Sequence, residues 1–585
     1  MTEMKITIDG KITAVPEGTT ILEAARGLAI QIPTLCHLEL HRMEVRNQPA
    51  SCRVCVVEVE GRRNLAPACA TPVAEGMVVK TRSLRVMEAR KAVLELILSD
   101  HPRECLTCSR SGECELQNLT ERLGVREVRF QGEMSTYPRD HSPAIVRDMD
   151  KCVMCRRCET MCNEVQACKV LSGVNRGFTS VVAPPFELSL DETVCTSCGQ
   201  CVAVCPVGAL TERDHTAEVL EALADPDRVV VVQTAPAIRA ALGESLGMEA
   251  GTLVTGKMVT ALRELGFDHV FDTNFTADLT IMEEGSELLD RLNRHLTGDE
   301  TARLPILTSC CPAWVKFFEH HFPDLLELPS TAKSPQQMFG SLAKSYFAEK
   351  IGIPRERMVV VSIMPCLAKK YEAARPEFAV DGSPDVDFVL STRELARMIR
   401  GANLDFASLP DGEFDQPLGE STGAAVIFGA TGGVLEAAVR TAHEVATGRE
   451  LPRLDYRELR GSEGVRTATV TIGDLELKLA VVHKLGNARA LMEKIRSGEE
   501  EFHAVEVMSC PGGCIGGGGQ PYHHGCEEIL RKRTEAIYRD DRSKPLRKSH
   551  ENPYVQELYR NFLGKPLGEK SHELLHTHYV QRQSL

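Results

Sequence analysis

The chain has 585 residues, with 68 lysines and arginines against 82 aspartates and glutamates and a formal charge of -14. That length exceeds a single compact core and predicts roughly three to five domains, and the negative charge excludes a polyanion such as nucleic acid as partner. No apolar run reaches the ~18 residues that span a bilayer, and the N-terminal MTEMKITIDGK has no leader pattern, so a cytoplasmic location is expected.

In a reducing compartment the 22 cysteines are not explained by disulfides, and their spacing points to metal. Sixteen precede residue 206; the other six stand at 310, 311, 366, 510, 514 and 526. Residues 4 to 80 read as short strands and turns with one helix, TILEAARGLA, the pattern of a small β-grasp module. Its Cys36, Cys52, Cys55 and Cys69 suit a [2Fe–2S] cluster in a gapped plant-type ferredoxin pattern, with zinc as the alternative.

HPRECLTCSRSGEC follows, where His101, Cys105, Cys108 and Cys114 offer three thiolates and an imidazole, fit for zinc or an iron–sulfur cube. Next, CVMCRRCETMC (152–162) and CTSCGQCVAVCP (195–206) repeat CxxCxxCxxxC. In bacterial ferredoxins the fourth cysteine of each run serves the other cluster, so Cys152, Cys155, Cys158 and Cys205 are expected to hold one [4Fe–4S] cube and Cys195, Cys198, Cys201 and Cys162 a second. Cys168 lies outside the pattern and reads as packing.

From about residue 225 the pattern becomes α/β. VVVVQTAP, HVFDTNF, LPILTSCC, MVVVSIMPC and AVEVMSC read as buried strands, three of them running straight into cysteine, so that Cys310/Cys311, Cys366 and Cys510/Cys514 can converge beyond strand ends. CPGGCIGGGGQP has six glycines in twelve residues, which predicts close backbone approach to a bulky inorganic ligand rather than a linker. In TIMEEGSELLDRL, Glu284, Glu287 and Arg291 share a helix face, a spacing that by itself reads as a solvated charge stripe. Side chains of adjacent residues on an extended segment point to opposite faces, so Cys310 and Cys311 are expected to do different things.

Together TSCCPAW (308–314), MPCLAKKYE (364–372) and EVMSCPGGCIGGGG (506–519) resemble the three signatures of [FeFe]-hydrogenases, and the four preceding cysteine modules occur in the family's order. The overall arrangement, including the terminal SHELLHTHY, is similar to the hydrogenase subunit of NADP-reducing multi-subunit enzymes. The resemblance implies a multidomain α+β and α/β chain. Its expected parts are a β-grasp [2Fe–2S] domain (1–82), a His/Cys3 [4Fe–4S] module (83–122), a ferredoxin-like domain with two [4Fe–4S] clusters (140–212), and an α/β H-cluster domain with C-terminal tail (222–585).

By position, the family implies that Cys311, Cys366, Cys510 and Cys514 bind a [4Fe–4S] cube, with Cys514 bridging to a two-iron unit that carries CO, cyanide and a dithiolate bridge. Lys369, Ser334, Pro335, Gln336, Met364 and Met508 would surround that unit. A proton route is implied through Cys310, Glu284, Ser330, Glu287 and Arg291. Ala237 stands where some relatives have serine, and Cys526 has no assigned role.

The implied activity is interconversion of H2 with protons and electrons. Electrons would pass along the four accessory clusters to flavin- and iron–sulfur-bearing partner subunits linked to NAD(P), ferredoxin being a further acceptor that the resemblance allows. Dedicated maturation proteins would supply the diiron unit. FGATGG (428–433) lacks the strand–GxGxxG–helix context of a nucleotide site on this chain. The rival readings are an electron-carrying subunit, since the front modules also resemble the large iron–sulfur subunit of respiratory complex I, and an H2 sensor or cluster-assembly relative. The first lacks the three back-half motifs, and sensors commonly alter the proton route.

Overall fold

A computed structural model describes residues 2–40, 45–47, 50–299, 301–461, 463–473, 475–524 and 526–582. Of the strand-rich stretch predicted over residues 4 to 80, positions 41–44 and 48–49 lie outside the described residues. The remainder forms a five-stranded sheet in the order Lys11–Pro16, Glu3–Ile8, Val78–Lys80, Val56–Val59, Ala66–Pro67, with the predicted helix at Ile21–Gly27. Thr20 and Glu23 close a capping box at that helix's start, and its apolar face meets Ile6, Ile8, Val57 and Val79 in a local core.

The repeat in the next cysteine unit is visible in the backbone. Met154 (φ +51°) and Arg156 (φ +60°) take left-handed conformations two residues after Cys152 and one after Cys155, and Ser197 (+56°) and Gly199 (+73°) do so at the same two motif positions. Each of Arg156 and Gly199 starts a short helix, Arg157–Thr160 and Gln200–Val204.

The back half contains two four-stranded sheets where the sequence suggested one set of strands. The first is fully parallel, in the order His269–Asp272, Val229–Thr234, Met358–Met364, Phe388–Ser391. Every residue of Met358–Met364 is buried, as expected of a central strand covered on both faces. The second sheet runs Ile306–Leu307, Ala504–Met508, Leu475–His483, Val465–Ile472, with only the last strand antiparallel. The cysteine-ended strand Met358–Met364 belongs to the first sheet, and Ile306–Leu307 and Ala504–Met508 belong to the second.

The 24-residue helix Thr273–Leu296 begins where Asp272 accepts the Asn274 N–H as N-cap. Among the described residues no helix is long and apolar enough to cross a membrane.

Candidate active site

The carboxyl ends of the two sheets face one cavity of about 70 Å³, lined by Cys310, Cys311, Cys366, Cys510 and Cys514 together with Lys369 and largely apolar side chains. The loops reach it for local reasons. Pro312 is the first residue of helix Pro312–His321, where its missing N–H costs nothing, and it leaves Cys311 extended as the N-cap. Cys311 Sγ lies 3.3 Å from Ser509 Oγ, and Lys369 Nζ donates to the carbonyl of Cys310 at 3.1 Å.

Burial pushes the thiols of Cys366 and Cys510 well above the usual range and that of Cys514 up to about 12. Thiols so placed stay protonated unless a cation sits among them, which is the donor chemistry of a polynuclear iron centre.

Pro335, Gln336, Met364 and Met508 line the same cavity. Ser334 does not line it; its hydroxyl donates to Glu372 Oε2 at 2.9 Å. Glu372 also accepts from Lys369 Nζ (2.8 Å) and Gln336 Nε2 (3.0 Å), so one carboxylate ties both predicted lining segments together. Sequence reasoning missed it, although its place three residues after Lys369 on the helix Ala368–Ala373 was the available signal. Ser509, inside the EVMSC signature, and Thr273 and Phe428 are further lining residues that the sequence reading did not single out.

The predicted charge stripe on Thr273–Leu296 is buried, not solvated: Glu284 and Glu287 are under 9% exposed. Glu287 accepts from Arg291 Nη2, from Ser330 Oγ at 2.7 Å and from the Thr331 N–H at 3.1 Å, which fixes its carboxylate in place. Glu284 Oε1 is buried without a hydrogen-bond partner among the described residues, and burial, then the charge of Glu287, pushes its carboxyl up to about 8. Burial and the neighbouring Glu284 also raise the Cys310 thiol.

The outer three members, Ser330, Glu287 and Arg291, are therefore joined by direct hydrogen bonds, while Cys310 and Glu284 are neighbours coupled through their charges. Arg291 and Glu287 line a second cavity at the surface. Two tail residues missed from sequence abut this row. Tyr579 donates to the Ser330 carbonyl at 2.5 Å, and His576 bridges Thr331 Oγ1 (2.8 Å) and Glu283 (3.1 Å).

The cysteine modules adjoin one another. Cys55 and Cys69 sulfurs are 3.4 Å apart, and Cys36 meets both Cys52 and Cys69. Asn47 Nδ2 donates to the carbonyls of Cys36 (2.6 Å) and Cys155 (2.8 Å), joining the β-grasp set to the first ferredoxin set. Arg110, between Cys108 and Cys114, donates to the Cys205 carbonyl at 3.0 Å, so the His101 module reaches that same set. His101 is lowered to about 4 by burial and its Nδ1 has no partner among the described residues, as suits a neutral imidazole ligand. Cys168 is buried, its thiol 3.5 Å from the Gln166 carbonyl, which fits packing; Cys526 is exposed.

The second ferredoxin set sits against the catalytic loop. Gln166 and Gln200 side chains donate to the carbonyls of Ser509 and Gly516, each at 3.0 Å. A Cβ on Gly518 would lie 2.7 Å from the backbone of Gly199, one on Gly517 would lie 2.2 Å from the Pro365 carbonyl oxygen, and Gly513, at φ +95°, packs on residues 430–431. Of these glycines only Gly513 lines the cavity, so most of the run serves contact between protein backbones where sequence reasoning expected approach to the ligand. Gly518→Ala is expected to destabilise the seating of the cluster domain by about 1–3 kcal/mol. A calorimetric transition unchanged from the parent would refute that contact.

The chain is 68% identical over its full length to the full length of the "NADP-reducing hydrogenase subunit HndD" of Solidesulfovibrio fructosivorans. It belongs to the iron-only, or [FeFe], hydrogenases. The family model "Iron only hydrogenase large subunit, C-terminal domain" matches residues 228–518, and "Iron hydrogenase small subunit" matches 527–582. A "2Fe-2S iron-sulfur cluster binding domain" matches 1–83, the "NADH-ubiquinone oxidoreductase-G iron-sulfur binding region" 90–129 and a "4Fe-4S binding domain" 188–211.

"Iron hydrogenase 1" of Clostridium pasteurianum is 39% identical over 98% of this chain and 99% of its own. A solved variant of the apo [FeFe]-hydrogenase HydA1 from Chlamydomonas reinhardtii superposes with a TM-score of 0.57 at 45% identity, covering 63% of this chain and 99% of that one. This hydrogenase thus carries iron–sulfur modules ahead of its H-cluster domain, and the cavity between the two sheets lies within the matched catalytic region.

Proposed function

We propose that this hydrogenase interconverts H2 with protons and electrons at the cavity between the sheets and serves as the catalytic subunit of an NAD(P)-linked complex. The observation that carries the reading is the convergence of five cysteines and Lys369 on one cavity whose loop is seated on a ferredoxin-type cysteine set. Cys311, Cys366, Cys510 and Cys514 would hold the H-cluster, with Lys369, Pro335, Gln336, Met364 and Met508 around it and Ser334 behind. When bound, that group supplies the redox chemistry of H2.

The residues of this chain move the protons. Glu284, held neutral up to about pH 8, stands beside the Cys310 thiol as a proton reservoir, whereas Glu287, tied to Arg291 and Ser330, is the relay group at the surface end of the row. A carboxyl group raised in this way can give and take a proton near neutral pH. Cys310, neutral through burial, is the proton carrier that faces the cavity.

One [2Fe–2S] cluster on Cys36, Cys52, Cys55 and Cys69 and three [4Fe–4S] clusters, one on His101, Cys105, Cys108 and Cys114 and two on the crossed ferredoxin sets, would form a forked path, since the β-grasp and His101 modules both reach the first ferredoxin set. The parts correspond to residues 1–82, 83–122, 140–212 and 222–585. Flavin- and iron–sulfur-bearing partners, with NAD(P) or ferredoxin beyond them, would exchange electrons at the far ends of the fork, in the cytoplasm. The name of the 68%-identical relative and the match to a complex I iron–sulfur region support this part of the reading.

The test is an infrared spectrum of anaerobically purified protein co-expressed with hydrogenase maturation proteins. Bands of iron-bound CO and cyanide are expected. Their absence, with maturation proven on a control hydrogenase, overturns the assignment.

A further inference from the structure

Where the His101 module meets the first ferredoxin set, the chain buries a guanidinium that no carboxylate pairs. Arg110, two residues after Cys108 and four before Cys114, is 1% exposed. Its Nη2 donates to the Cys205 carbonyl at 3.0 Å, while Nε and Nη1 are buried without an acceptor among the described residues. The junction around it is tight. The Glu115 N–H donates to the Pro206 carbonyl at 2.9 Å, and a Cβ on Gly208 would lie 2.8 Å from Cys108 Sγ and 3.5 Å from Arg110 Cγ. Tyr522, just beyond the catalytic loop, covers the guanidinium, its ring centroid 3.5 Å from Cζ.

The carboxylates at this junction are taken by other cations. Glu115 accepts from Arg157 at 2.6 and 2.9 Å and pairs with His524 at 3.1 Å, and Glu212 accepts from Arg393 at 2.7 Å and Arg397 at 2.8 Å. A buried cation is costly unless an anion compensates it, and the anions left to do so are cysteine sulfurs. Of these groups Cys205 bears on the guanidinium most, ahead of Cys114 and Glu212. A lysine in this place could shed its proton, whereas a guanidinium keeps its charge. An iron–sulfur cube on four thiolates is net negative, and each added electron makes it more so.

Taking Cys152, Cys155, Cys158 and Cys205 to hold their cube as proposed, we propose that Arg110 sets the reduction potential of that cluster. Its fixed charge and its two unbonded N–H groups favour the reduced form at the point where the His101 module adjoins the set. The residue takes no part in the H2 chemistry; it acts on the electron path, by making this cluster a better acceptor than its cysteines alone would make it.

The test is a redox titration followed by electron paramagnetic resonance on the full-length enzyme with its clusters assembled, Cys205→Ser marking which signal belongs to this cube. Arg110→Met is expected to lower that midpoint, so that the reduced-to-oxidised ratio at a fixed potential falls at least about tenfold, about 59 mV for a one-electron couple. The other accessory clusters should move less. Arg110→Gln keeps an amide donor for the Cys205 carbonyl and removes the charge; it is expected to shift the midpoint the same way, and it serves should the first variant fail to assemble its clusters. A midpoint that stays or rises in a variant with the parent's iron content, or an equal fall at every cluster, overturns the proposal. Absence of the marked signal from the parent protein strikes the cluster assignment, and the proposal with it.

Discussion

Cys310→Ser is expected to keep the clusters and lose H2 turnover by about 10²- to 10⁴-fold, the usual contribution of a positioned proton carrier. Serine occupies nearly the same volume, and the cluster-binding set Cys311, Cys366, Cys510 and Cys514 is untouched, so infrared and electron paramagnetic resonance spectra should retain the parent's bands. What changes is the acid. A buried hydroxyl is far weaker than a buried thiol, and the step beside Glu284 loses its partner. Glu284→Gln is expected to cost a similar factor and to change the pH profile as well.

In the parent, Glu284 is neutral below about pH 8 and ionised above it, so proton delivery falls as pH rises through that value. The glutamine variant should lack that limb. Near-parent turnover in Cys310→Ser with intact clusters would remove the thiol from the route; a limb near pH 8 that survives Glu284→Gln would reassign it to another group.

The second large effect concerns the helix that carries the proton route. Arg239 is fully buried; its Nη2 donates to both carboxylate oxygens of Asp272 at 2.8 and 2.9 Å, and its Nη1 donates to Asp540 at 3.3 Å. Asp272 is in turn the N-cap of Thr273–Leu296. Arg239→Met would leave a carboxylate in the interior with only the Asn274 N–H and the Ser421 hydroxyl, a defect expected to cost about 3–5 kcal/mol. Arg239→Lys should recover only part of this, because a single ammonium cannot reach Asp272 and Asp540 from the two nitrogens of a planar group. Scanning calorimetry reads both. A transition in Arg239→Met that coincides with the parent's would show that the ion pair contributes nothing net.

The readings that held from sequence rest on local, repeated or covalent patterns. CxxCxxCxxxC fixes ligand spacing within a few residues, and its duplication reappears as matched left-handed positions at Met154/Ser197 and Arg156/Gly199. Strands that run into cysteine at 310, 366 and 510 are legible because a buried strand and its exit loop are contiguous in sequence.

What escaped is set by distance along the chain. Glu284 and Glu287 look like a solvated stripe until Thr331 and the tail at Tyr579 cover them, residues some 40 to 300 positions away. The division into two sheets depends on pairing of Ala504–Met508 with Ile306–Leu307, which no local pattern encodes. The glycines after Cys514 were read as room for an inorganic ligand because their true neighbours, Pro365 and Gly199, lie about 150 and 300 residues upstream.

That last contact governs how electrons can be tuned. Where the loop of Cys198 and Cys201 meets the loop of Cys514, both surfaces are main chain, Gly199 against Gly518. The approach of these two loops is set by peptide van der Waals radii, with the Gln166 and Gln200 amides bonded across beside it. Selection acting on the rate of electron passage here has driving force, set by the hydrogen bonds around each cysteine set, as an adjustable quantity.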